Sequence, residues 1–201
     1  MNFFLRSASY LFHPLLIPII GTFIFYQITP RFFEPEIKSA KLYAILIITI
    51  LIPLISFYLL KNLGIVESIH LKKVKERKFP LMIQVLLLLL VIKMVFSSYQ
   101  TPELYYFFTG ILFSTITALL LVIFKFKVSL HQMGIAGLTM FVIALSVFYN
   151  INLLMEIGLL FFANGWVASS RLHTKSHDMP ELITGVFIGV LPQLIMLNFW
   201  L

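Results

Sequence analysis

Residues 104–124, LYYFFTGILFSTITALLLVIF, contain no charged side chain and decide the fold class. A run of about 20 apolar residues spans the hydrocarbon core of a bilayer as an α-helix. Comparable runs occur on both sides of this one, near residues 10–28, 42–60, 81–98, 132–149, 151–168 and 182–200. They are rich in Leu, Ile and Phe and lack the alternation of a membrane β-strand. The sequence therefore predicts an all-α, polytopic transmembrane helix bundle with six to seven spans.

The composition agrees with this prediction. The chain has 201 residues, of which 60% are hydrophobic and 11% are charged, whereas soluble domains average about 25% charged residues. We therefore expect residues 1–201 to form a single transmembrane domain, with no soluble nucleotide-binding unit. The absence of cysteine excludes disulfides, thiol nucleophiles and thiolate metal sites. The short segment at 150–152 predicts a tight helical hairpin between the fifth and sixth runs, or else one broken helix.

Positive charge is concentrated in loops that share one membrane face. Because each span reverses the direction of the chain, three loops open on the same side as the amino terminus, which we call the amino-terminal face; they are 61–80, 125–131 and 169–181. That face carries eleven of the 15 Lys and Arg residues. A basic excess in short loops fits lipid headgroups or a phosphate-bearing substrate, and not nucleic acid. By the positive-inside rule this face would be cytoplasmic.

The last of these loops carries an ordered set of polar residues. It has Ser170 and Arg171, then five residues, His177, three residues and Glu181. This pattern resembles the third signature of the type 2 phosphatidic acid phosphatase superfamily, which includes lipid phosphate phosphatases and vanadium haloperoxidases. The acid in that family is Asp, so Glu181 is one methylene longer, and Gly185 stands where family members often have a small residue.

The second family signature, Pro-Ser-Gly-His, is half kept in the loop at 125–131. The chain has Val128-Ser129-Leu130-His131 there, which retains Ser129 and His131 but lacks the Pro and the Gly.

The first family signature, Lys, six residues and Arg-Pro, has lost its Arg. Lys72 and Pro80 hold the spacing, but Phe79 occupies the Arg position, with Arg77 and Lys78 just before it. The order and spacing of the three signatures also fit the family, so the resemblance covers about residues 72–185.

The resemblance implies an integral membrane phosphatase that hydrolyses a lipid phosphate or diphosphate through a phosphohistidine, without metal or cofactor. His177 would attack phosphorus through Nε2, with Glu181 accepting the Nδ1 proton. His131 would protonate the leaving alkoxide and then activate water. The phosphate would be bound by side chains with cationic or hydroxyl groups: Lys72, Arg171, Ser129 and Ser170, with Arg77 or Lys78 in place of the missing Arg.

Three parts of this predicted site also fit purely structural roles. Asp178, Pro180 and Glu181 have the pattern of a helix start, with Asp178 as N-cap and Glu181 closing a capping box. Ser129 is placed to cap the helix that begins near His131. The basic stretch 72–78 also fits simple headgroup binding.

Two other functions stay open. The altered signatures are compatible with a non-catalytic descendant of the fold that binds lipid or serves as an assembly subunit. His173, His177 and Glu181 are spaced i, i+4, i+8, which on a continuous helix would form a metal site, although Pro180 argues against that helix. We interpret His13 and His70 as interface or loop residues.

For location, the sequence predicts an integral membrane protein of the bacterial inner membrane, with the bilayer and a lipid phosphate as partners and protein partners unspecified. The count of basic residues places the amino-terminal face in the cytoplasm, while most membrane relatives of the resembled family act outside it; we favour the extracytoplasmic face. Lys93 and Glu156 lie near the same end of their spans, where they can snorkel or pair.

Overall fold

Nine α-helices make up the part of the chain that the computed structural model describes, residues 2–67 and 74–201, with side chains described from residue 5. They are α1 (Asn2–Leu11), α2 (Ile17–Ile28), α3 (Pro35–Leu46), α4 (Ile52–Asn62), α5 (Lys78–Met94), α6 (Pro102–Ile123), α7 (Leu130–Tyr149), α8 (Leu154–His173) and α9 (Met179–Leu197). A π-helical segment, Ile47–Leu51, joins α3 to α4. It ends two residues before Pro53, which has no N–H for a regular helical hydrogen bond. A short 3₁₀ turn, Val74–Arg77, leads into α5.

Four of the described helical stretches are long and apolar enough to cross a membrane: Pro35–Asn62, Pro102–Ile123, Leu130–Tyr149 and Met179–Leu197. The structure thus supports a helical membrane bundle, but it does not support six to seven spans on these criteria.

The shortfall has physical causes in three predicted runs. A turn around Pro14 divides the run at 10–28, so that α2 has only 12 residues, about 18 Å of helix. The run at 81–98 yields a 17-residue helix, α5. The last of the three, α8, has 20 residues but includes Glu156, Asn164 and Arg171, so it is less apolar than the others.

The connection between α7 and α8 is the tight hairpin that the sequence predicted as one of two alternatives. Asn150 adopts a left-handed conformation with φ 52°, which Asn tolerates better than most residues. The amide of Ile151 then donates to the carbonyl of Ser146 at 3.1 Å. The chain reverses here, and α8 begins at Leu154.

Helix α7 lies at the centre of the bundle and contacts α2, α6, α8 and α9, with its most extensive contact on α9. The rings of Phe107 and Phe141 stack in the core with centroids 4.1 Å apart. Between α7 and α9 the backbones approach closely, because glycines face each other there. A Cβ atom on Gly185 would lie 2.9 Å from the carbonyl oxygen of Ser129, and one on Gly189 would lie 2.2 Å from that of Met133. This contact fixes the start of α7 beside the start of α9.

Gly189→Ala is expected to destabilise the protein by about 1–3 kcal/mol, because the added methyl group must push two backbones apart. Gly165→Ala in α8 is the matched control, since a Cβ atom there meets nothing within 4 Å and Ala favours helix over Gly. Thermal unfolding of the purified proteins in detergent measures both. Equal melting temperatures for the two variants would contradict the close α7–α9 contact.

Candidate active site at the amino-terminal face

Three loop segments are joined by hydrogen bonds at the amino-terminal ends of α7 and α9. The amide of Ser129 donates to the carbonyl of Glu181 at 3.2 Å. The ammonium of Lys127 donates to the carbonyl of Ser176 at 2.6 Å, and the guanidinium of Arg77 donates to the carbonyl of Val128 at 2.8 Å. The loops that carry the three sequence signatures therefore meet at one place.

His177 and Glu181 form the central pair of this site. The Nδ1 atom of His177 lies 2.5 Å from Oε2 of Glu181, and the His177 side chain is only 4% exposed. A carboxylate accepts the proton on Nδ1, so Nε2 keeps its lone pair. This arrangement is the one that a nucleophilic imidazole needs.

The helix-cap interpretation also describes this loop correctly. Asp178 is the N-cap of α9, and its Oδ1 accepts the Glu181 amide at 3.0 Å. The Glu181 carboxylate in turn meets the backbone amide of Asp178, as a capping box requires, and it also bonds to His177. Glu181 thus takes part both in the cap of α9 and in orienting the imidazole.

Cations surround the imidazole. Burial, together with the positive charges of Arg77, Lys127 and Arg171, lowers the pKa of His177 to about 3. Desolvation and nearby positive charge both disfavour the imidazolium. His177 is therefore neutral at physiological pH, and the positive charges of the same three side chains act on its ring.

The structure distinguishes the two cations that the sequence offered for the missing Arg. Arg77 is 7% exposed, and its charge acts on both Glu181 and His177. Lys78 is exposed, as is Phe79. Arg77 therefore reaches the site although it stands two positions before the family's Arg position.

Helix α1 contributes Ser9, a residue that the sequence analysis missed. The guanidinium Nη2 of Arg171 donates to the Ser9 hydroxyl, which also bonds to the Ser170 hydroxyl at 2.8 Å. The Nε2 atom of His131 donates to the carbonyl of Ser9 at 3.2 Å. One residue thus occupies the polar groups of three predicted site residues. In the sequence, the only indication that Ser9 belongs to the site was that the amino terminus and the signature loops lie on the same membrane face.

His13 joins the same cluster and is an interface residue, as interpreted from the sequence. Its ring lies edge-on to His131 with centroids 5.3 Å apart, and its Nδ1 accepts the amide of Leu15 at 3.3 Å. Burial and the charge of Arg171 lower the pKa of His13. The three imidazoles and Arg171 are close enough to interact electrostatically.

The remaining predicted residues are placed differently. Ser129 is fully buried and caps α7, its hydroxyl accepting the Gln132 amide at 3.4 Å. Ser170 is fully buried against Ser9. Lys72 and His70 lie outside the described residues.

The helix that the metal hypothesis requires is not formed, because α8 ends at His173 and α9 begins at Met179. Within residues 2–67 and 74–201, no three His, Asp or Glu side chains come together as a ligand set.

The chain matches no protein family, no curated protein and no solved structure.

Proposed function

We propose that the protein is an integral membrane phosphatase that hydrolyses a lipid phosphate or diphosphate through a phosphohistidine intermediate. The observation that carries the proposal is the His177–Glu181 pair, which is partly buried and lies within reach of the charges of Arg77, Lys127 and Arg171. An oriented neutral imidazole beside several cations is suited to attack on a phosphorus that bears negative oxygens.

In the proposed reaction, Nε2 of His177 attacks the terminal phosphorus, and the bond from that phosphorus to the leaving oxygen, of the lipid or of its inner phosphate, breaks. His131, as its imidazolium, gives a proton to the departing oxygen. A water molecule then attacks the phosphohistidine, giving its proton to His131, and the P–N bond breaks to release phosphate and neutral His177. Glu181 stabilises the cationic imidazole ring while phosphorus is attached.

The hydrogen bonds of Ser9 occupy groups that a substrate would need. Its hydroxyl holds Arg171 and Ser170, and its carbonyl holds His131. A phosphate group that binds these residues must replace Ser9, so α1 shifts when substrate enters. The lipid origin of the substrate fits this position, because α1 ends in the exposed apolar residues Tyr10 and Leu11.

We further propose seven membrane crossings in the bacterial inner membrane, with α2, α5 and α8 crossing beside the four longer apolar stretches. We also propose that the site lies at the extracytoplasmic interface, where most membrane relatives of the resembled family act.

The test is release of inorganic phosphate from phosphatidate, phosphatidylglycerol phosphate and an isoprenyl diphosphate by the purified protein in detergent. Hydrolysis of at least one substrate is expected, with or without EDTA, together with inhibition by vanadate, whose trigonal bipyramidal form resembles the transition state. Activity that EDTA abolishes and added Zn²⁺ restores would contradict the mechanism.

Ser9→Ala is expected to lower KM for the lipid phosphate by roughly 3- to 10-fold with little change in kcat, because the hydroxyl no longer competes for Arg171. Ser7→Ala is the control, since it makes the same change in helix propensity within α1. Steady-state kinetics of both variants measure KM and kcat. A higher KM for Ser9→Ala would show that Ser9 binds substrate instead of blocking it.

The contacts of Ser9 also favour a second candidate, a non-catalytic lipid-binding subunit in which α1 permanently fills the site. That protein would bind lipid phosphates but release no phosphate from any of them. Ser9→Ala would not create activity in it.

A further inference from the structure

A cavity of about 410 Å³ opens on the face opposite the amino-terminal face. It lies between the middle of α3, the end of α5 and the loop that follows α5, with Tyr105 of α6 beside them. Lys41 comes from α3 and Lys93 from the last turn of α5, and the loop adds the hydroxyls of Ser97 and Ser98. This cavity shares no residue with the candidate active site, so an inference about it does not depend on the proposed phosphatase activity.

The charge of this cavity is uncompensated by acidic side chains. None of the described residues that line it is Asp or Glu. The other two cations of this face are engaged elsewhere: Arg31 pairs with the buried Glu103, and Lys38 donates to the carbonyl of Tyr26 at 3.4 Å. Lys93, for which the sequence suggested pairing with Glu156, lines this cavity instead.

The cavity wall holds Lys41 over an aromatic ring and brings two serine hydroxyls to the same cavity. The ammonium of Lys41 lies 5.5 Å from the centroid of the buried Phe96 ring, a favourable cation–π position. The Ser97 hydroxyl accepts the amide of Tyr99 at 3.2 Å, which shapes the loop. Two ammonium groups and two hydroxyls in one cavity can donate several charge-assisted hydrogen bonds to an anion.

Two large exposed side chains, one aliphatic and one aromatic, stand at the rim of the cavity. Met94 is 79% exposed and Tyr99 is 94% exposed. Both line the cavity. Exposed apolar side chains beside cations at a membrane edge match a lipid, whose phosphate meets the cations while its chains meet the apolar rim.

We propose that this cavity binds the phosphate of an anionic phospholipid, with Lys41 and Lys93 contacting its negative oxygens. The shared chemistry is a phosphate group, and the rim favours a lipid over a soluble phosphate as its source.

The chain lacks cysteine, so Ser98→Cys reports on the cavity alone. The full-length protein carrying it is placed in phosphatidylcholine nanodiscs with or without phosphatidylglycerol, and its alkylation by a neutral fluorescent iodoacetamide is timed. We expect phosphatidylglycerol to slow alkylation about 5-fold or more. Adding Lys41→Gln and Lys93→Gln should remove this protection, since each lysine is worth about 5-fold in affinity for an anionic headgroup. Lys38→Gln is the matched control and should keep the protection.

Equal alkylation rates with and without phosphatidylglycerol would overturn the proposal, as would protection that survives loss of both lysines. Equal rates in phosphatidylcholine alone show that the double variant is folded. If the double variant is not folded, the exposed Lys93 is changed alone. Lys93→Gln should then weaken the protection of the introduced cysteine, and Lys93→Arg should keep it. Protection by inorganic phosphate in phosphatidylcholine nanodiscs would overturn the lipid as the source.

Discussion

His177→Ala is expected to reduce lipid phosphate turnover by at least about 10³-fold, because the proposed mechanism forms the phosphoryl-enzyme bond on this imidazole. The variant should still bind lipid, since Arg77, Lys127 and Arg171 remain around the site. Single-turnover assays with a radiolabelled lipid phosphate should trap phosphate on the wild-type protein in acid-sensitive form and trap none on the variant.

His173→Ala is the matched control, because it removes an imidazole four residues away, at the end of α8. If His177 is the nucleophile, the activity of His173→Ala should be within about twofold of wild type. If His173, His177 and Glu181 instead bound a metal, His173→Ala and His177→Ala should both lose activity. Glu181→Gln should lower kcat by roughly 10²- to 10⁴-fold with nearly intact binding, and Glu181→Asp should retain measurable activity. Full activity of His177→Ala would end the phosphohistidine proposal.

The pairing of His177 with Glu181 could be predicted from sequence because it depends on local spacing. The residues lie four positions apart across a helix start, and Asp178 supplies the cap that sets the geometry there. The role of Ser9 could not be predicted in this way. Its contacts with Ser170 and Arg171 join positions at opposite ends of the chain, and its surrounding sequence has no motif.

The number of spans shows a similar limit. Apolar content alone predicted seven runs, and it identified the four stretches that are long and apolar enough to cross. It did not show that the turn at Pro14 splits the first run, because apolar content ignores the local helix-breaking effect of proline, nor that α1 then lies against α8. Nor could it show that Asn164 is tolerated within α8 because Gln132 and Thr139 of α7 satisfy its side chain.

Arg77→Ala is expected to lower kcat/KM by roughly 10²- to 10³-fold, the loss typical of one group that stabilises charge in a transition state. The sequence left Arg77 and Lys78 as equal substitutes for the missing Arg. The structure separates them, because Arg77 is buried with its charge acting on His177 and Glu181, while Lys78 is exposed. Lys78→Ala should therefore keep kcat/KM within about twofold of wild type.

Arg77 also donates to the Val128 carbonyl, so its loss can act through the loop before α7 as well as through charge. Arg77→Lys separates the two effects: it keeps the charge but lacks the planar fork of donors, and should recover part of kcat/KM if charge matters. Vanadate inhibition gives an independent readout. If the Arg77 charge binds the transition state, its removal should weaken vanadate binding by a factor similar to the loss in kcat/KM. Wild-type kinetics for both Arg77→Ala and Lys78→Ala would show that neither replaces the missing Arg and would favour the non-catalytic subunit.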